Sequence, residues 1–222
     1  MSDFAIVFDM DGLMVDSEPL ARRAWDQVLG AHGHTLSDAI YNSIIGYRFD
    51  ESAAILIAAY DLPQGIDTLR REKEDVLAKI RANGVPAMPG LYEVHASINR
   101  RGVPWGVATS SPRAHAKEIL VQLGLDGSCQ AITGGDEVPQ GKPAPDIYLL
   151  AAERLDVLAS HCLAIEDSGP GCQSALSAGM MVIAVPNVDT ITADFSAVDH
   201  VFPSLHEVAE ELDELLAELV RH

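Results

Sequence analysis

A chain of 222 residues can bury one large core or two small ones, and 48% apolar against 22% charged residues excludes the disordered and collagen-like classes. Its 33 acidic and 15 basic side chains leave a formal charge of -18, which argues against nucleic acid as a partner because two polyanions repel. The longest apolar stretch, Ala53 to Tyr60, falls far short of the roughly 18 residues of a bilayer span, so no membrane association is expected.

The first element in chain order is the apolar run Phe4 to Phe8, of strand length, which ends abruptly in Asp9, Met10, Asp11 and Gly12. Asp3, Asp9 and Asp11 interrupt any leader pattern, so no secretory signal is expected. From residue 17 to about residue 84 the texture is helical, with apolar spacing over Leu20 to Leu29, Ile40 to Ile45, Glu51 to Tyr60 and Thr68 to Ile80. The Gly- and Pro-containing stretch "NGVPAMPG", residues 83–90, marks the far junction of this block.

Beyond it, predicted strands at Pro104 to Ala108, Ala131 to Thr133, Cys162 to Ile165 and Met181 to Val185 alternate with helical patterns. Those helices fall at Leu91 to Arg100, Arg113 to Leu123, Pro145 to Leu155 and Gly171 to Ala178. Alternation of this kind is the signature of βαβ units and a parallel sheet. The expected architecture is α/β: a Rossmann-like, doubly wound parallel sheet formed by residues 1–16 and 85–222, with an all-helical insert at residues 17–84. The acidic segment "EVAEELDELLAELV" carries a leucine stripe and is expected to cover the sheet. Three cysteines, Cys129, Cys162 and Cys172, lack C-x-x-C spacing and read as buried thiols of a reducing compartment; the expected setting is the cytoplasm.

Ligands of open parallel sheets bind beyond the carboxyl ends of the strands. At those ends stand Asp9 and Asp11, then Thr109, Ser110 and Ser111, then Glu166, Asp167 and Ser168, while Lys142 in "QGKPAPDIY" is expected to open the helix after the third strand. Asp9 and Asp11, two apart on an extended segment, can face one ligand together. Carboxylates sharing a site need a counter-charge; Mg²⁺ supplies it and attracts a phosphate, with the acids at 166 and 167 as further ligands. Lys142 and Thr109 would hold phosphate oxygens. Asp9 can then attack phosphorus to form an aspartyl phosphate, with Asp11 as the acid that protonates the leaving alkoxide and the base that activates water.

The segments "DMDGLMVDS", "VATSS", "GKPAPDIY" and "AIEDSGPG", in this order, resemble the motifs of the haloacid dehalogenase superfamily, and the resemblance covers nearly the whole chain. It implies Asp9 as nucleophile, Asp11 as general acid/base, Thr109 and Lys142 as phosphate holders, and Mg²⁺ bound by Asp9, the Asp11 carbonyl and Asp167, with Glu166 as a further metal-site acid. Ser110 and Gly12 are counted among the substrate contacts. The insert resembles the small helical cap of the branch that contains β-phosphoglucomutase and sugar-phosphate phosphatases. Mutases of that branch carry a histidine where "EPLARRAW" has Ala21, which favours a phosphatase, and "GYRFDES" resembles a sugar-phosphatase segment in which Arg48 would meet the substrate.

The expected function is therefore Mg²⁺-dependent hydrolysis of a small sugar or sugar-alcohol phosphate by a monomer, with a small phosphorylated metabolite as its partner. The alternatives are a β-phosphoglucomutase-like mutase, a phosphoglycolate phosphatase and a receiver-type phospho-acceptor module. His32 and His34 flank Gly33 with loop spacing that supports no closed metal site.

Overall fold

The computed structural model describes residues 3–44, 49–82 and 84–221. Six parallel strands, β1 (Ala5–Phe8), β2 (Trp105–Thr109), β3 (Ala131–Gly134), β4 (Cys162–Glu166), β5 (Met181–Ala184) and β6 (His200–Val201), form one sheet in the order β3-β2-β1-β4-β5-β6. β1 is central, and its four residues are all buried, which is why it reads as an unbroken apolar run and not as an alternation. Its register sets Phe8 beside Val107 of β2 and Ile165 of β4, so the three strands end nearly level. Strand order reverses direction between β1 and β4, and the crevice at that switch point is where the fold places a ligand.

Five helices accompany the sheet among the described residues: α5 (Leu91–Arg101), α6 (Arg113–Leu123), α7 (Asp146–Leu155), α8 (Gly169–Ser177) and α9 (Leu205–Leu219). Small side chains on one face, Ala5, Val7, Ala108, Ala164, Val182 and Ala184, let α7 and α8 approach closely through Ile147, Tyr148, Ala151 and Ala175. The leucine stripe of α9 is buried through Leu205, Leu212, Leu215, Leu216 and Leu219, and the helix packs against β4 and α5. No helix of the described residues is long and apolar enough to cross a membrane.

The chain divides into two compact units, residues 1–16 with 86–222 and residues 17–85. Val85, expected in the first, packs with Leu20, Ala24 and Ile80 in the second. Within the sheet unit the two connecting segments run side by side: Asp16 N–H donates to Pro86 O at 3.0 Å and Met88 N–H to Met14 O at 2.9 Å. The second unit contains α1 (Glu18–Ala31), α2 (Asp38–Asn42), α3 (Phe49–Tyr60) and α4 (Ile66–Arg81) around Trp25, Leu29, Leu36, Tyr41, Leu56 and Leu69. Ser37 caps α2 by accepting from Ile40 N–H at 3.3 Å, which starts that helix earlier than the apolar spacing suggests.

Two further departures have local causes. The two-residue strand β6 is too short for any periodic signal. Lys142 does not open a helix: α7 begins at Asp146, because Pro143 and Pro145 disfavour helical backbone angles at Lys142 and Ala144, the residues before them, and Lys142 stays in the preceding loop.

Candidate active site

β1 stops where its side chains turn from apolar to acidic, and Asp9 N–H still donates to Ile165 O at 3.0 Å, so Asp9 stands directly beyond the switch point. Met10 is buried in the core, and the chain then folds back through Met14 N–H to Met10 O at 2.9 Å and Gly12 N–H to Val15 O at 2.9 Å. This tight loop requires φ of +89° at Gly12. A Cβ at Gly12 would lie 2.5 Å from Asp167 Oδ2 and 2.8 Å from Asn187 Nδ2, so any side chain there would displace both groups.

Lys142 reaches the same point from the loop before α7. Its Nζ donates to Asp9 Oδ1 at 2.5 Å, Glu166 Oε1 at 2.5 Å and Ala108 O at 3.0 Å, and it sits 5.0 Å from the centre of the Tyr148 ring. Burial disfavours an ammonium there, but the carboxylates of Asp9 and Glu166 outweigh it and hold the Lys142 pKa above its ordinary value. Glu166 has no exposed surface and no uncommitted oxygen. Oε1 accepts from Lys142 and from Tyr148 Oη at 2.8 Å; Oε2 accepts from Asp167 N–H and Ser168 N–H, both at 3.1 Å, and from Ser168 Oγ at 3.0 Å. Gly171 makes room for it, since a Cβ there would overlap Glu166 Oε1 at 1.8 Å.

Asp167 follows β4 and is 4% exposed. Its Oδ2 accepts from Asn187 Nδ2 at 2.9 Å, and the same amide donates to Gly12 O at 3.1 Å. Ligand atoms of Asp9, Glu166 and Asp167 lie within 4.8 Å of one another. Burial, together with the neighbouring Glu166 charge, pushes the Asp167 carboxyl up to about 7. Burial likewise lifts Asp9 well above the usual carboxylate range, against the pull of Lys142 and with the repulsion of Glu166 and Asp167. One lysine thus faces three buried acids, and a cation would relieve the excess. Lys142 takes one oxygen of Asp9 and Asn187 takes one of Asp167, leaving a single oxygen on each, a donor set that fits a small, hard divalent ion.

The Asp11 carboxylate is outside this group. Its Oδ2 accepts from Ser111 Oγ at 2.7 Å and from Thr109 Oγ1 at 3.4 Å, and Thr109 Oγ1 in turn accepts from Ser111 N–H at 3.1 Å. The structure therefore gathers Asp9, Asp11, Gly12, Thr109, Lys142, Glu166 and Asp167 at one end of the sheet. Ser110 is exposed, and its neighbour Ser111 makes the bond to Asp11. Arg48 lies outside the described residues. Sequence reasoning placed Ser111 at the strand end without a role and missed Tyr148 and Asn187 as members of the cluster; Tyr148 ends the quoted "GKPAPDIY" segment, whereas Asn187 reads as an ordinary turn residue.

Fold and side chains define the class of the protein, an α/β enzyme whose site is built from buried carboxylates and one lysine across a sheet switch point. A family model described as haloacid dehalogenase-like hydrolase matches residues 5–179, and the chain belongs to that family. It is 31% identical over 176 residues to the phosphorylated carbohydrates phosphatase of Thermotoga maritima, covering 79% of this chain and 82% of that protein. It is 30% identical over 212 residues to hexitol phosphatase A of Escherichia coli, covering 91% of each. Among solved structures, CbbY from Rhodobacter sphaeroides in complex with phosphate matches with a TM-score of 0.80 at 27% identity, over 93% of this chain and 96% of that one.

Proposed function

We propose that this protein is a Mg²⁺-dependent phosphomonoesterase that hydrolyses a small sugar or sugar-alcohol phosphate through an aspartyl phosphate on Asp9. The observation that carries this reading is the placement of buried Asp9 at the switch point, bound to Lys142 and adjacent to Asp167. The relatives named as a phosphorylated-carbohydrate phosphatase and a hexitol phosphatase support the substrate class.

In this reading an Asp9 carboxylate oxygen attacks phosphorus and the P–O bond to the sugar breaks. Asp11, aimed by the Ser111 and Thr109 hydroxyls, gives its proton to the departing alkoxide. The same carboxylate then removes a proton from water, whose oxygen attacks phosphorus and releases Asp9 and inorganic phosphate. Lys142 offsets charge on the phosphoryl oxygens, and Thr109 holds one of them by hydrogen bonding. Asp9, Asp167 and the Asp11 carbonyl would hold Mg²⁺, which when bound neutralises and polarises the phosphoryl group. Glu166, with both oxygens committed to donors, fixes Lys142 and the Asp167–Ser168 backbone and leaves metal ligation to its neighbours.

Phosphate release from a panel of hexose, pentose, polyol and glycolate phosphates, with Mg²⁺ and with chelator, tests the reading. Multiple turnover on a sugar or polyol phosphate that stops in chelator is the expected result. Conversion of β-glucose 1-phosphate to glucose 6-phosphate in the presence of a bisphosphate, with no phosphate released, would make the protein a mutase and overturn it.

A further inference from the structure

The loop after β5 carries a side chain to which the proposed chemistry assigns no role. Asn187 donates through Nδ2 both to Asp167 Oδ2 and to Gly12 O. Its Oδ1 accepts from Asp189 N–H at 2.8 Å, Thr190 N–H at 3.2 Å and Thr190 Oγ1 at 3.3 Å, and its own N–H donates to Thr190 Oγ1 at 3.0 Å. The amide is therefore held on its acceptor side by a closed turn and spends its donor side on the acid group and the loop that follows β1.

Every carboxylate in the three-acid group has a fixed donor on at least one oxygen. Lys142 occupies Asp9 Oδ1, Asn187 occupies Asp167 Oδ2, and five donors occupy both oxygens of Glu166. Asp9 and Asp167 can each then offer one oxygen only. Mg²⁺ suits such a site, because it takes near-octahedral geometry with few protein oxygens and retains water, whereas Ca²⁺ takes six to eight oxygens and commonly binds carboxylates through both. Of these donors, Lys142 and those of Glu166 belong to the catalytic cluster or to its backbone. Asn187 alone among them comes from the loop after β5.

We infer that Asn187 is a positioning residue that sets the metal selectivity of the site: its amide blocks the second oxygen of Asp167, enforces one-oxygen ligation and so favours Mg²⁺ over Ca²⁺. The inference rests on the Mg²⁺ reading above. It acts through Asp167 and does not require Asn187 to touch metal or substrate.

The test is calorimetric titration of the whole protein with Mg²⁺ and, separately, with Ca²⁺, for wild type, Asn187→Asp, Asn187→Ala and Thr190→Val. Asn187→Asp retains an acceptor for the turn while removing the amide donor, so it separates the two functions of the side chain. Both Asn187 variants are expected to lower the preference for Mg²⁺ over Ca²⁺ by at least about tenfold, the lower end of effects seen when partners of metal ligands are removed. Thr190→Val, which loosens the turn and spares the amide donor, is expected to keep the wild-type ratio within about twofold. An unchanged ratio in both folded Asn187 variants overturns the inference, as does an equal loss in Thr190→Val. Wild-type protein that binds neither cation would overturn the Mg²⁺ reading itself, and the inference with it.

Discussion

Both units carry surface ion pairs, such as Arg101 with Asp213 in the sheet unit, but among the described residues only the sheet unit also buries a set of paired charges. In the helical unit the ion pairs lie at the surface: Arg70 pairs with Asp50, whose side chain is 65% exposed, and Arg22 with Asp26 and Asp38. In the sheet unit, Lys142 and Glu166 are 7% and 0% exposed and each is surrounded by fixed partners. Solvent screens the first kind of pair and makes it worth little, whereas the second has given up its hydration and depends on every partner being present. A chain with a net charge of -18 therefore holds one cluster of its charges, Lys142 with Asp9 and Glu166, where water cannot soften them.

The sharpest break in this comparison comes from removing one member of the buried set. Glu166→Leu leaves Lys142 and Tyr148 without their shared acceptor and should destabilise the protein by about 3–5 kcal/mol in chemical denaturation. Phosphatase activity should fall with it. Next in size is Gly171→Ala, whose Cβ would overlap Glu166 and force the start of α8 to shift. Overpacking of this kind costs about 1–3 kcal/mol, so a loss of that size in urea unfolding, together with weakened turnover, is expected.

The raised acid at Asp167 predicts a pH dependence of defined sign. A carboxyl whose pKa is higher in the folded state lends stability while protonated, and that stability is lost as pH rises from the ordinary value of 3.8 through about 7. In chelator, the stability advantage of Asp167→Asn over wild type should therefore grow across this interval and level off above it. Added Mg²⁺ competes with the proton, so its stabilisation of the wild type should be greater at about pH 8 than at about pH 5.5 in thermal melts. The smallest effect is expected in the helical unit, where Asp50→Ala should change unfolding free energy by less than about 1 kcal/mol. A loss as large as that of Glu166→Leu would erase the contrast between the units.

Much of the sheet unit was legible because its signals are local. An all-apolar run ending in Asp9 marks both a central strand and the place where it stops, and Ser168 capping α8 through Gly171 N–H at 3.2 Å lies within its own segment. The commitment of Glu166 was not legible: its partners Lys142 and Tyr148 lie 24 and 18 residues away, and only the sheet brings them together. Asn187 was hidden for a related reason, since "VPNVDT" is a turn by composition while its link to Gly12 spans 175 residues. In the helical unit, apolar periodicity revealed the helices, and the structure shows which of their residues meet in the Trp25–Leu56–Leu69 core. Periodicity reports which face is buried and carries no information about a substrate.

The central claim is that Asp9 carries the phosphoryl group. It is tested most directly by quenching the enzyme during turnover of a hexose or polyol phosphate, reducing with borohydride, and locating the modified residue by peptide mass. The account predicts homoserine in place of aspartate at position 9, formed only with substrate and Mg²⁺ and absent from Asp9→Asn, which should also release no phosphate. Steady phosphate release by Asp9→Asn, or a reduced acyl phosphate at another residue, would contradict it.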